Sequence, residues 1–486
     1  MSENLTLLTD LYELTMMQGF LREGMGDHTA VFDLFYRENP SGNGFAIAAG
    51  LERALEYINN LRFDSEDIKY LTELNLFDVE FLNTLNNLRF TGDVYAVPEG
   101  TVVFPQEPLL KIKAPIFQAQ LLETALLTII NHQTLIATKA ARVCSAAQGS
   151  AVLEFGQRRA QGPDAGLYGA RAAVVGGCAA SSNVLAGKKF NIPIRGTHAH
   201  SWVMSFEEEL TAFRAYANCF PDRCVLLVDT YDTLRSGVPN AIKVFSELKE
   251  QGELSAGYGI RLDSGDLAYM SKRARLMLDE AGFKDALITA SGDLDEYLIS
   301  QLKLQDAKID TWGVGTNLIT SRDCPSLGGV YKLVCEYDPD GVSIPKIKLS
   351  ENLDKVTNPG DKKIIRLYDV RTNKFKADLI TLVDEIVDPS KDLTIFDPRA
   401  TWKRLTLEAG TFKTRELLIP VIVNGKQIYT PPHISQISEY RETELNSLWD
   451  EYKRLVNPQI AFVDLSQKLY DLKQEMISAV RRKNSV

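Results

Sequence analysis

VLEFGQRRAQG (Val152–Gly162), IPIRGTHAHS (Ile192–Ser201), VLLVDTYDT (Val225–Thr233), YGIRLDSGD (Tyr258–Asp266), LITASGDLDE (Leu287–Glu296) and TWGVGTNL (Thr311–Leu318) share one construction, and GGVYKLV (Gly328–Val334) ends the series. In each, a short apolar run terminates in glycine, acidic, hydroxyl or basic residues. The run reads as a strand and its ending as a βα loop. Helical patterns lie between several of them, including SFEEELTAFRAYANCF from Ser205 and YMSKRARLMLDEAGF from Tyr269. Strand, polar loop, helix, strand predicts a parallel α/β barrel or sheet, whose loop residues collect at the carboxyl ends of the strands. One mouth then receives most of these side chains.

Outward from this core, residues 1–145 are expected to form an amino-terminal α+β domain, completed in part by later strands. Residues 146–350 form the α/β core, and 351–486 a smaller carboxyl-terminal region of short strands and terminal helices. Thr9 or Asp10 can cap the helix that begins LYELTMMQGF, which puts Tyr12 near its start as either a core or a site residue. TGDVYAVPEGTVVFPQEPLLKIKAP from Thr91 reads as short strands broken by proline and glycine.

A chain of 486 residues with 45% hydrophobic and 24% charged residues can bury a large core and is expected to form two or three domains. Its net charge of −10 argues against a general nucleic-acid or anionic-membrane surface. Six cysteines without a CxxC pair predict a reduced, cytoplasmic chain. The beginning MSENLTLLTDLYELT does not read as a secretory signal, and the apolar helix from Gln120 carries Glu123, Asn131, His132 and Lys139, which makes it a buried helix rather than a bilayer span.

Several loops hold candidate chemistry. Phe155 beside Arg158 and Arg159 suits a planar carboxylate, the ring stacking and a guanidinium giving paired hydrogen bonds; a solvated arginine pair with a core phenylalanine is the alternative. His198 and His200 stand close together after Arg195. No metal-ligand spacing surrounds them, so zinc is disfavoured, and one imidazole can act as base or nucleophile toward a phosphoryl group while either can be structural. Asp229 and Asp232 can grip hydroxyls, orient a histidine or begin a helix. Arg261, Asp263, Ser264 and Asp266 form the most specific group: the acids can hold ribose hydroxyls or magnesium-bound water while Arg261 neutralises phosphate. Gly292, Gly315 and Thr316 can form a phosphate cradle. Lys332, and the basic set Lys346, Lys348, Lys362, Lys363 and Arg366, can meet further phosphates or belong to a solvated loop.

Taken in order, TDLYELTM, FGQRRAQG, RGTHAHSW, LLVDTYDT, GIRLDSGDL, SGDLDE, WGVGTNL and GGVYKL make the chain resemble the nicotinate phosphoribosyltransferase family, with DPRATWKR at Asp397–Arg404 continuing the likeness less distinctly. The resemblance implies an irregular TIM-like α/β barrel. It also implies ATP-coupled condensation of nicotinate with 5-phosphoribosyl 1-pyrophosphate, through a phosphohistidine that matches His200, in an enzyme of the ligase class using ATP and Mg2+. Tyr12 and Phe155 would sandwich the pyridine, with Tyr12 presented across a homodimer. Arg158 would meet the carboxylate, with Ser201 and Asp229 in the substrate site. Asp263, with Asp266 as a further candidate, would serve ribose and metal beside Arg261, and Gly292, Gly315 and Thr316 would hold the 5′-phosphate. A nicotinamide-specific relative is the nearest alternative, because the RRAQG run favours an acid without placing its side chains in space. A quinolinate-using relative is less compatible with the full motif series, and a non-enzymatic barrel would leave the strand-end convergence accidental.

Overall fold

The computed structural model describes residues 4–352 and 355–483. The chain divides into two compact units: residues 1–135 with 326–486, and residues 136–325. Residues 351–486 thus fall in the same unit as the amino-terminal segment.

Within the first unit, a seven-stranded sheet runs in the order Ser343–Pro345, Gly329–Tyr337, Thr29–Tyr36, Leu110–Pro115, Asp93–Ala96, Ile419–Val423, Lys426–Gln427, and all its pairings are antiparallel. Amino-terminal strands are therefore joined on both sides by strands from late in the chain. Thr29–Tyr36 is buried along almost its whole length, so its one acid, Asp33, needs a cation; Lys362 Nζ stands 2.9 Å away. A four-stranded sheet, Phe412–Glu416, Lys362–Asp369, Phe375–Leu382 and Val463–Leu465, packs Ile365, Leu367, Ala377, Leu379 and Phe412 into its own core.

This sheet corrects the expectation for the basic set. Lys362 and Arg366 lie on one strand with their side chains 2% and 0% exposed, paired with Asp33 and with Asp378 and Glu444, so they neither meet nucleotide nor sit in a solvated loop. The sequence shows the positive charges but not the acids that distant strands bring opposite them. Lys346 pairs with Glu336, and Lys332 lies 3.7 Å from Glu123.

The second unit carries the repeated motifs except the last: GGVYKLV, expected to end the parallel series, lies on the Gly329–Tyr337 strand of the antiparallel sheet in the first unit. The second unit's six strands are parallel throughout, ordered Ala180–Ser181, Ala151–Glu154, Thr311–Val314, Leu287–Ser291, Gly259–Leu262, Val225–Leu227. Parallel strands need crossovers, and helices such as Pro163–Val175, Val238–Gln251, Leu267–Glu280 and Glu296–Leu304 provide them. Side chains beyond the strand ends start helices in this unit: Asn183, Asp266 and Asp295 cap Val184–Phe190, Leu267–Glu280 and Glu296–Leu304, accepting bonds from Ala186, Tyr269 and Leu298 backbone N–H. The helical pattern from Ser205 forms a helix over Glu209–Cys219, and a separate short helix, His200–Met204, precedes it. Among the described residues, no helix is long and apolar enough to cross a membrane.

Candidate active site

Alternation along Gly259–Leu262 buries Ile260 and Leu262 completely and turns Arg261 to the other face. That face opens on a cavity of about 630 Å³, lined among others by Phe155, Arg158, His200, Arg261 and Asp263. These five come from three separate sequence motifs, and the parallel strand order brings them to one mouth.

Arg261 is the hub. Its guanidinium donates to Ser291 Oγ at 2.8 Å, to Thr197 Oγ1 at 3.0 Å and to Asp263 Oδ1 at 2.8 Å, and it lies 5.7 Å from the centre of the Phe155 ring. Ser291 also donates to Asp263 Oδ1, so both bonds to that carboxylate fall on one oxygen. Arg261 and Asp263 retain 17% and 29% side-chain exposure, enough to meet a ligand without unfolding anything.

Asp229 stands behind this wall, its side chain 1% exposed. One oxygen faces His200 Nε2 at 3.3 Å; the other accepts from Asp263 N–H at 2.9 Å and Ser264 Oγ at 2.6 Å. Of the three uses open to the acids of VLLVDTYDT, Asp229 takes the orientation of a histidine and Asp232 takes the start of a helical turn, accepting from Arg235 N–H. His200 therefore shares one carboxylate with the loop that carries Asp263.

The two histidines of HAH separate in role. Both line the cavity, but His200 is partly exposed there, whereas His198 is buried, with Nε2 accepting from Leu227 N–H at 3.2 Å. Burial pulls the His198 imidazole down to about 4, so it is neutral at ordinary pH. Ser201 follows His200 on the short helix and is exposed.

The glycine loops pack against the same structure. Gly292 has φ 98°, and a Cβ there would strike the carbonyl oxygen of Asp263. A Cβ on Gly313 would meet the Phe155 ring at 2.6 Å, so this glycine makes room for the aromatic. Asn317 Nδ2 donates to the carbonyls of Asp293 and Leu294 at 2.9 and 3.1 Å, tying the two glycine loops together. Gly315 and Thr316 begin the four-residue helix Thr316–Ile319; like Gly292 and Ser201, they do not line the cavity. Tyr12 belongs to the first unit, on the opening turn of Leu11–Arg22, and is 46% exposed. Burial and the carboxylates of Glu123, Glu13 and Asp10 push its phenol up to about 12.

Four contributors lay outside the sequence reading. Thr197, Glu154, Ser181 and Asn317 are ordinary polar residues until the fold places them. Glu154 ends its strand fully buried, accepting from Ser181 Oγ at 2.6 Å and from Gly156 N–H, and so fixes the turn carrying Phe155. Burial raises its carboxyl group above the usual range, against the pull of those two bonds.

Among the described residues, no group of three or more His, Cys, Asp or Glu side chains is arranged to hold a metal ion. Asp266 already caps the Leu267–Glu280 helix. Asp263 alone is a partly exposed carboxylate on the cavity wall, which fits magnesium's habit of taking one or two protein carboxylates and completing its shell with substrate phosphates and water.

Family models place this geometry. The nicotinate phosphoribosyltransferase N-terminal domain matches residues 7–131, the family's central model 150–329 and its C-terminal domain 361–473. The nicotinate phosphoribosyltransferase of Bacillus subtilis (strain 168) is 48% identical over 479 residues, covering 99% of this chain and 96% of that one. The crystal structure of human nicotinic acid phosphoribosyltransferase superposes with a TM-score of 0.84 at 30% identity, over 96% of this chain and 99% of that one. A nicotinate-nucleotide pyrophosphorylase from Pyrococcus furiosus shares the fold at 21% identity, with a TM-score of 0.70 over 92% and 97% of the two chains. With models matched along its length and relatives aligned nearly end to end, the chain belongs to the nicotinate phosphoribosyltransferase family.

Proposed function

We propose that this chain condenses nicotinate with 5-phosphoribosyl 1-pyrophosphate, giving nicotinate mononucleotide and pyrophosphate, and couples the reaction to ATP hydrolysis through transient phosphorylation of His200. The pyridine nitrogen attacks ribose C1 as the bond to pyrophosphate breaks. The site must therefore tolerate positive character at C1 and stabilise the departing charge. Phe155 stacks on the pyridine and Arg158 pairs with its carboxylate. Asp263 orients the ribose, with Arg261 beside the donor's phosphates and Gly292, Gly315 and Thr316 at the 5′-phosphate. Asp263 would hold magnesium together with substrate oxygens, and the ion would supply charge neutralisation at the leaving group.

The observation that carries the coupling is Asp229, which grips His200 with one oxygen and the Asp263–Ser264 backbone and hydroxyl with the other. Phosphate placed on His200 would oppose Asp229 and shift the loop that handles the ribose, linking ATP turnover to donor binding or product release. A cytoplasmic homodimer belongs to the same reading: Leu8, Leu11, Tyr12 and Met16 leave an apolar strip exposed, and Tyr12 of a second copy would complete the ring sandwich. An irregular closed barrel and a place in the ligase class follow from it as well.

The test is a mass-resolved product assay with phosphoribosyl pyrophosphate, magnesium and either nicotinate or nicotinamide, with and without ATP. Nicotinate mononucleotide, formed faster or more completely with ATP, is expected. Nicotinamide mononucleotide as the main product would overturn the carboxylate-selective role of Arg158, and phosphate trapped on a residue other than His200 would overturn the coupling.

A further inference from the structure

The six-stranded sheet has two edges, Ala180–Ser181 and Val225–Leu227. The segment before His200 is bonded to both. On one side Ser181 N–H donates to Pro193 O and Arg195 N–H to Ser181 O, each at 3.1 Å, in the manner of a parallel strand. On the other side no backbone ladder forms. Gly259 N–H and Val228 N–H make the bonds between the Val225–Leu227 and Gly259–Leu262 strands, at Cys224 O and Arg261 O. Alternation therefore turns Leu227 N–H to the free edge. An edge N–H buried without an acceptor costs about 1–3 kcal/mol, and His198 Nε2 meets this one at 3.2 Å.

Two residues on in each segment, His200 Nε2 faces Asp229 Oδ1. The 198–227 and 200–229 contacts have the same sequence offset of 29, so they form successive rungs between the same two segments. The lower rung is the more buried, its residues His198 and Leu227 8% and 1% exposed on the cavity wall, and the His198 ring stands edge-on to Tyr216 at 4.7 Å and near Phe213 at 6.1 Å. The upper rung is open to the cavity. Thr197 adds a lateral tie, accepting from Arg261 and donating to His198 O.

We propose that His198 is a positioning residue, its side chain standing in for a missing strand pairing and setting the register at which His200 meets Asp229. The inference rests on the reading of His200 as the phosphate acceptor for its functional meaning, but not for its geometry. It also separates the two histidines chemically: the Nε2 lone pair of His198 is engaged by Leu227 N–H, so phosphate is directed to His200. A proton on Nδ1, 3.4 Å from Ala199 O, completes the arrangement, and the depressed basicity of the buried ring keeps it in that neutral form.

Two substitutions test it. His198→Phe keeps an aromatic ring against Tyr216 but removes the acceptor; His198→Gln keeps an acceptor of similar reach. The first readout is the rate at which diethyl pyrocarbonate modifies His200 in the substrate-free protein, mapped by fragment mass spectrometry. His198→Phe is expected to change that rate by about fivefold, the scale of one lost hydrogen bond, with His198→Gln close to wild type. In the nucleotide assay His198→Phe should lower kcat by about tenfold or more with a smaller change in KM, and Gln should restore it. Unchanged His200 reactivity in His198→Phe overturns the proposal. Should the Phe variant not fold, imidazole 15N shifts of the wild-type chain decide it: a His198 that titrates between about pH 5.5 and 8 overturns the neutral, acceptor-locked ring. A wild-type chain that never carries phosphohistidine, yet shows the Phe–Gln contrast in His200 reactivity, refutes the coupling and leaves the positioning role standing.

Discussion

GIRLDSGD at Gly259–Asp266 and IIRLYDV at Ile364–Val370 both put an arginine between aliphatic residues on a strand and an aspartate just beyond. Arg261 and Arg366 nevertheless live in different surroundings. Arg366 sits on a strand paired antiparallel to both neighbours, directly opposite Asp378, which it grips through two bonds of 2.8 and 2.6 Å, while Glu444 takes a third at 3.0 Å. Phe104 and Phe375 lie 5.4 Å from its guanidinium, and nothing of its side chain reaches solvent. Arg261 stands on a parallel strand with Thr289 and Leu227 beside it in register, neither of them an acid; it reaches the hydroxyls of Ser291 and Thr197, and Asp263 comes from its own loop. The same short string thus builds a sealed ion pair in one sheet and a cavity-facing one in the other. Strand direction and the neighbour's residue at the same level decide between them.

The comparison breaks most visibly at Arg366. Arg366→Met leaves Asp378 and Glu444 buried without that cation, a loss of about 3–5 kcal/mol, and thermal unfolding should shift strongly downward. Arg261→Met should cost less than about 1 kcal/mol of stability, because its partner keeps access to water, while product formation collapses. Equal melting shifts for the two variants would erase the distinction.

Asp263→Asn sharpens the functional half. Removing one carboxylate charge from the position proposed for ribose and magnesium should lower kcat/KM by about 100- to 1000-fold, the scale seen when one transition-state contact is lost, with the fold intact. Near-normal turnover would mean that the partly exposed pair is structural after all.

How far sequence could anticipate this differs between the two units. In the second, each motif carries its own strand and its own loop, so Arg261, Asp263, His200 and Phe155 could be assigned to one mouth from the strand–loop–helix grammar alone. Their supports could not. Thr197, Ser181 and Glu154 act through bonds to side chains or strands far along the chain, and nothing in a threonine or a glutamate announces the partner. In the first unit, Lys362 and Arg366 read as a loose basic patch because their partners, Asp33, Asp378 and Glu444, are 12 to 329 positions away, as the two residues' own numbers show. Antiparallel sheets assembled from both ends of a chain hide their pairings from any local reading.

Gly292→Ala probes how tightly the cavity-facing pair is held. Its φ of 98° and the nearby Asp263 carbonyl leave no room for a Cβ, so strain of about 1–3 kcal/mol must be relieved by moving one of the two loops. A shift of Asp263 should lower kcat/KM by about tenfold. Gly149→Ala is the control: φ is 88° but nothing lies within 4 Å of the new methyl, so strain appears without any effect on turnover. Equal activity in the two variants would show that the Gly292–Asp263 contact does not position the carboxylate.

The smallest effect concerns a carboxylate buried with no cation beside it. Glu13 is fully buried and accepts bonds from Thr124 N–H and Oγ1, at 3.0 and 2.7 Å, and from Thr9. Those bonds favour the charged form, but burial outweighs them and pushes the group from 4.5 up to about 7. Because the folded value is raised, the folded chain holds a proton that the unfolded chain releases. The stability this contributes is complete below the unfolded value of 4.5, and it is lost as pH climbs through about 7. Between about pH 6 and 8 the loss is on the order of 1 kcal/mol. Glu13→Gln, which cannot ionise, should therefore remove that decline in denaturant titrations and leave the variant more stable relative to wild type at the higher pH. Parallel pH profiles for the two proteins would mean that Glu13 stays charged, and that the threonine bonds do for it what Asp378 and Glu444 do for Arg366.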